Sequence, residues 1–132
     1  MTASLTVRLA QARAPFVLAI DVGSTGTRAG IYDAQARPVK KFKTKVGHAF
    51  TTIANGTSTI DPDRVTAEIR QVVGEVVADF PHPIAGVAID TFASSLVGVD
   101  AGGHAITPCY TYADSRSSAQ VNYLKSILNE DD

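Results

Sequence analysis

The chain has 132 residues, 45% of them apolar, and a formal net charge of −1 at pH 7. That length can bury one domain core, and that apolar fraction excludes a disordered chain. The near-neutral balance leaves no electrostatic footprint for nucleic acid or for an anionic membrane, so neither partner is expected.

Residues 1–14 contain Arg8 and Arg13 and no long apolar run, which fits neither a secretory signal nor a membrane span. They read as a leader, either disordered or adding a short strand through Leu5, Val7 and Leu9. The folded part is expected over 15–132. Residues 15–22 form a continuous apolar run, read as a central strand buried on both faces. Residues 27–33 form a second strand, 34–37 a turn and 38–46 a third strand, which makes an antiparallel meander. Lys40, Lys41, Lys43 and Lys45 fit the solvated face of an edge strand, where lysine discourages further pairing.

Residues 47–59 are small, polar and poorly periodic, a loop with room for extended pieces. Asn55, Gly56 and Thr57 match a glycosylation acceptor, but without a signal peptide they read as a turn. Asp61 and Pro62 open a helix with a capping carboxylate and a proline in the first turn. Val65, Ile69, Val72, Val73, Val76, Val77 and Phe80 continue it as one apolar stripe. Pro81 and Pro83 stop it. Residues 83–89 read as a second buried strand, parallel to the first, ending at Asp90. Residues 96–100 and 105–112 read as a hairpin around Gly102 and Gly103. Asp114 and Ser115 open a last helix with Val121, Leu124, Ile127 and Leu128 on one face. The chain closes on Glu130, Asp131 and Asp132 without a glycine cap; acid at a helix C-terminus is disfavoured, which suggests a fragment boundary.

Cys109 is the sole cysteine, so no intrachain disulfide forms and a reducing, cytoplasmic compartment is expected. With no histidine partner in sequence it reads as a small buried hydrophobe. His48, His82 and His104 lack metal-ligand spacing.

The end of the first strand is the first candidate site. An apolar strand delivers Asp21, and Gly23, Ser24, Thr25, Gly26, Thr27 and Arg28 follow at once. Small residues let backbone N–H groups approach an anion, and hydroxyls add donors. A single carboxylate there can hold a hydrated Mg²⁺. The segment is not a Walker loop, because no Gly-Lys-Ser/Thr follows. It is not a dinucleotide fingerprint either, because no helix opens there. It resembles the first phosphate motif of the actin-like ATPase superfamily. The bland alternative is a hairpin with glycine at positive φ.

The second candidate site runs from Asp90 to Arg116. It gathers Ser94 and Ser95, an aromatic at Tyr112, a carboxylate at Asp114 and a guanidinium at Arg116. Polyols are bound by such mixtures, with carboxylates accepting from hydroxyls, guanidinium donating, and aromatic faces against C–H groups. Each residue also has a plain structural role open to it: the serines as strand-end hydrogen bonders, Asp114 as a helix cap, Arg116 as a surface ion-pair partner.

Both motifs, in this order and at this distance, resemble the N-terminal part of the FGGY carbohydrate kinases, gluconokinase- and xylulokinase-like members above all. The resemblance spans residues 17–128. It implies an α/β fold, ribonuclease-H-like and actin-like, with a mixed sheet of antiparallel meander plus parallel strand, flanking helices and a truncated first lobe. It implies ATP and Mg²⁺ as cofactors and a sugar, polyol or sugar acid as substrate. By resemblance Asp21 would orient Mg²⁺ through water, and Gly23, Ser24, Thr25, Thr27 and Arg28 would serve the phosphates. Ser94, Ser95, Tyr112, Asp114 and Arg116 would face the sugar. Two positions depart from the family pattern: Ser94 stands where a histidine is common, and Tyr112 where a tryptophan is usual. The family's catalytic Asp, second phosphate motif and adenosine site would all lie beyond residue 132. The fragment alone is therefore expected to be inactive, and the surface left open by truncation is expected to drive homo-oligomerisation. Two alternatives use the same residues: a non-catalytic actin-like binding or structural module, and a fragment of an acetate-kinase- or Hsp70-like ATPase. The segment from Tyr112 to Arg116 argues against the second.

Overall fold

The computed structural model describes residues 6–128. The acidic run at 129–132 and Leu5 lie outside the described residues. Two compact units share the chain. The first takes the residues up to Ala49 together with Asp63–Phe92, and the second takes Phe50–Pro62 with the residues from Ala93 onward.

The first unit is built on a four-stranded mixed sheet. Its strands are β1 (Phe16–Gly23), β2 (Gly26–Tyr32), β3 (Pro38–Gly47) and β6 (Ile84–Thr91), in spatial order β3-β2-β1-β6. β1 pairs antiparallel with β2 and parallel with β6, and β2 pairs antiparallel with β3. Helix α1 (Pro62–Val77) precedes β6 in the chain, as a parallel neighbour requires. The meander, the helix and the parallel strand thus stand where the sequence reading put them. Phe16, Leu18, Ile20 and Val22 of β1 share one core with Ile31, Val39, Val72 and Val76.

β1 alternates buried and half-buried residues rather than being buried on both faces. α1 supplies Val72 and Val76 to the core beneath Leu18 and Ile20, while Val17, Ala19 and Asp21 stay half-exposed on the other face. β6 also departs from the expected buried strand. Val87 and Ile89, in register with Leu18 and Ile20, are 64% and 60% exposed. β6 is the outer strand of the sheet among the described residues, so an apolar run suited to burial meets no second layer.

β3 is the opposite edge, with Lys40, Lys41, Lys43 and Lys45 exposed as expected. Residue 7 adds to its start. Val7 forms a parallel bridge to Val39, donating to the Pro38 carbonyl at 3.0 Å while its own carbonyl accepts from Lys40 at 2.8 Å. Val7 is buried in the core, and a 3₁₀ turn at Leu9–Gln11 follows. At the β2–β3 turn the Asp33 carboxylate accepts from the backbone of Arg13, Gln35 and Arg37 and from the Arg37 guanidinium at 2.7 Å.

The second unit carries a small sheet of β4 (Thr51–Thr52), β5 (Ser58–Ile60) and β7 (Cys109–Tyr110), in order β4-β5-β7. The Asn55 turn forms as expected, its Oδ1 accepting from Thr57 N at 3.1 Å. The expected hairpin shrinks to isolated bridges, Leu96 with Tyr110 and Val99 with Ala105. The Asp100 carboxylate takes the N–H groups of Gly102 and His104, a local side-chain competitor to a regular ladder. Cys109 is buried, and burial pushes its thiol pKa up. The last helix, α2 (Ser118–Ile127), begins later than expected, so Asp114 is not its cap. Its apolar residues Val121, Leu124 and Ile127 are exposed. No helix among the described residues is long and apolar enough to cross a membrane.

Two substitutions test this packing. Ile31 is fully buried, and Ile31→Ala is expected to destabilise by about 2–5 kcal/mol. Gly74 lies within α1 with nothing within 4 Å of an added Cβ, so Gly74→Ala is expected to stabilise by about 0.5–1 kcal/mol. Urea denaturation of the two variants should give opposite signs.

Candidate functional site

Asp21 sits near the carboxyl end of β1, opposite Arg28 of β2 and beside Asp90 of β6. Its Oδ2 is 3.3 Å from Arg28 Nε, and both side chains are about half exposed, at 48% and 54%. An exposed pair of this kind is weak, so the carboxylate remains available to a ligand. Ser24 and Thr25 form the exposed tip between β1 and β2. Gly26 is there because β3 leaves no room. A Cβ on it would press into the Val46 carbonyl oxygen and sit 2.9 Å from Lys45 Cε, at a φ of +156°.

Thr27 does not join the exposed turn. It points into the core, 0% exposed, and its hydroxyl has no hydrogen-bond partner. The strand alternation that exposes Arg28 places Thr27 on the same buried face as Val22, so its hydroxyl is not presented to a ligand in this conformation.

Beneath the turn lies a network that sequence reading missed. The His48 ring meets Glu68 Oε2 at 2.7 Å through Nδ1 and the Gly23 carbonyl oxygen at 2.9 Å through Nε2. Arg64 Nε donates to Glu68 Oε1 at 3.0 Å. A signal was present: Glu68, Val72 and Val76 are the buried residues of α1, so a carboxylate occupies the helical stripe one turn before two valines.

In the second unit, Ser94, Leu96, Tyr110, Tyr112, Asp114 and Arg116 line an open cleft of about 590 Å³. Ser94 adopts a left-handed φ of 54°, an uncommon conformation for serine of the kind that collects at ligand sites. Ser95 lies outside the lining, its hydroxyl turned toward the Ala93 carbonyl at 3.4 Å. Asp114 grips Arg116 at both Nε and Nη2, 2.7 Å at the shortest, and its Oδ2 accepts from Ser58 N at 3.0 Å. These bonds hold the Asp114 carboxyl far below the usual carboxylate range, the Arg116 guanidinium first among the causes. The Arg116 guanidinium also stands 5.4 Å from the Tyr110 ring centroid, within cation–π reach. Ser58 Oγ and Thr111 Oγ1 close a buried 2.7 Å hydrogen bond behind the cleft.

The sequence pattern of the FGGY family of carbohydrate kinases, N-terminal domain, matches residues 16–132. The chain belongs to that family. It is 24% identical over 115 residues to a gluconokinase of Bacillus subtilis (strain 168), covering 86% of this chain and 22% of that enzyme. It is 26% identical over 117 residues to a gluconokinase of Bacillus licheniformis, again 86% and 22%. The fold superposes on Plasmodium falciparum glycerol kinase with a TM-score of 0.79 at 18% identity, covering 88% of this chain and 24% of that one. The chain thus spans about a fifth of the length of the curated relatives it matches.

Asp114 has a depressed pKa, so its contribution to stability is complete above the ordinary carboxylate range and is lost as pH falls through the folded-state value. Between about pH 5 and pH 2 the loss of stability should be shallower in Asp114→Asn than in the unsubstituted chain. Thermal melts across that range measure the difference.

Proposed function

We propose that this chain is the sugar-binding and phosphate-turn segment of an ATP-dependent carbohydrate kinase whose substrate is a sugar, polyol or sugar acid. The observation that carries the reading is the cleft that brings Ser94, Tyr112, Asp114 and Arg116 together, within a chain matched by the FGGY pattern. Gluconokinases among the relatives make a sugar acid the leading candidate substrate. Arg116, held flat by Asp114 and Tyr110, is suited to donate to a carboxylate or hydroxyl in the cleft. Tyr112, 64% exposed, offers a ring face to sugar C–H groups.

The Asp21 end of β1 fits Mg²⁺. One half-exposed carboxylate beside a close-packed glycine turn suits an ion that keeps most of its waters. When bound with ATP, the ion would neutralise charge on the phosphates. Asp21 would orient its water shell, while Gly23, Ser24 and Thr25 present backbone and hydroxyl donors to phosphate oxygens. Arg28 would add positive charge beside them. The catalytic base and the adenosine site belong to the parent polypeptide, so the isolated chain is proposed to be inactive. The lone buried thiol of Cys109 suits a reducing cytoplasm.

In a family-length kinase carrying this segment, Asp21→Asn should lower kcat about 100-fold or more. Asp114→Ala should raise KM for the sugar by about 10-fold or more, through lost contacts and a released Arg116. A coupled ADP assay with a panel of polyols and sugar acids measures both. The 132-residue chain itself should show no sugar-dependent ADP release; turnover there, or a parent indifferent to Asp21→Asn, would sink the reading.

Association in solution is part of the same proposal. β6 offers exposed Val87 and Ile89 and carries no lysine or proline, unlike the lysine-rich β3 edge. A second copy pairing there would cover both its edge and its apolar side chains. Sedimentation should show a concentration-dependent dimer that Val87→Lys returns to monomer; a monomer throughout would refute it.

A further inference from the structure

His48 carries more of the first site than its position in sequence suggests. Its side chain shows no exposure, and it lies just past the end of β3. The carbonyl oxygen of Gly23, 2.9 Å from Nε2, can only accept, so Nε2 bears a proton. The Glu68 oxygen, 2.7 Å from Nδ1, belongs to a carboxylate whose other oxygen takes a hydrogen bond from Arg64. One proton on the line between Nδ1 and Oε2 closes that bond and braces the ring against α1. The ring is thus hydrogen-bonded through both nitrogens. The backbone N–H of the same residue donates to the Thr25 carbonyl at 3.3 Å. One residue therefore holds two carbonyls of the turn, those of Gly23 and Thr25.

Peptide planarity gives this consequence for ligand binding. In a trans peptide the N–H of the next residue points opposite to the carbonyl. Fixing the Gly23 carbonyl toward His48 turns the Ser24 N–H away from it. An anion site made of backbone donors needs that kind of control, because a Gly-Ser-Thr turn has little rotational preference of its own.

We infer that His48, braced by Glu68 and Arg64, is a positioning residue that sets the orientation of the Gly23–Ser24 peptide and hence the donor the turn offers to a phosphate. The ligand in that statement rests on the proposed function; the effect on the turn does not. It also explains why a carboxylate interrupts the buried stripe of α1. A leucine at 68 would fill the same space, but it would leave the buried His48 Nδ1 without its partner.

The ¹⁵N-labelled 132-residue chain provides the test. Long-range ¹⁵N–¹H spectra should place a proton on His48 Nε2. His48→Phe keeps a ring but loses its hydrogen bonds, and Glu68→Gln replaces the carboxyl that braces the ring. Both should shift the Ser24 and Thr25 amide resonances well beyond a linewidth, while those of Ile31 and Val39 report an intact core. His48→Gln, whose amide can donate to the Gly23 carbonyl, should return Ser24 toward its original position. This rescue separates positioning from space-filling, and it keeps the test decisive if His48→Phe fails to fold. Unmoved turn amides in Glu68→Gln, whether or not His48→Phe folds, or no proton on Nε2, would overturn the inference. Titration of Mg·ATP into the unsubstituted chain reads the phosphate assignment separately. Turn resonances indifferent to ATP, with the variant shifts intact, would count against the ligand and uphold the positioning role.

Discussion

β1 is hydrogen-bonded along both edges, to an antiparallel neighbour on one side and a parallel one on the other, and the rest of the molecule is arranged around that constraint. The antiparallel partner can follow through a two-residue turn, because the chain only has to reverse. The parallel partner cannot, so the chain must travel away and return through α1 before β6 can begin. Both connections leave their marks at the same place. The tight turn Ser24–Thr25 and the end of β6 at Asp90 and Thr91 both lie at the carboxyl end of β1. Open α/β sheets bind ligands at strand carboxyl ends, where such connections diverge, and Asp21 stands there.

The turn is held from three directions. β3 presses on Gly26 so closely that any side chain would collide with its backbone. Arg28 reaches Asp21 across the β1–β2 pair. His48 takes two carbonyls from below and ties them to α1 through Glu68. Buried polar groups in a small core are costly unless every partner is present; here the His48 ring, the Glu68 carboxyl and the Arg64 guanidinium are hydrogen-bonded in sequence. Thr27, one position past Gly26, is the contrasting case, a buried hydroxyl with no partner.

The two edges of the main sheet follow opposite rules. β3 carries four lysines and a left-handed φ at Lys41, features that discourage another strand from pairing. β6 has neither, and its side chains are those of an interior strand. Its exposed Val87 and Ile89, like the exposed apolar residues of α2, are surfaces whose composition suits a covering layer. The gluconokinase of Bacillus subtilis, of which the match covers 22%, is about four times the length of this chain.

Much of this was legible in sequence for local reasons. Apolar runs bounded by Gly, Pro and Asp marked β1, β2, β3, α1 and β6, because period and turn chemistry are properties of neighbouring residues. The Asp21 turn and the Tyr112–Arg116 segment were legible because their chemistry is packed into a few consecutive positions. The hairpin after Ser94 was not, since the Asp100 side chain satisfies backbone groups that a ladder would have used. Burial of Thr27 was settled by strand alternation, and Asp114 proved to be a clamp on Ser58 and Arg116 rather than a helix cap. The sequence by itself determined the order of elements and the residues able to do chemistry. Only the tertiary structure decided which of them meet: Gly23, His48, Glu68 and Arg64 are separated by up to 45 positions in the chain, and no local periodicity records a contact made through packing.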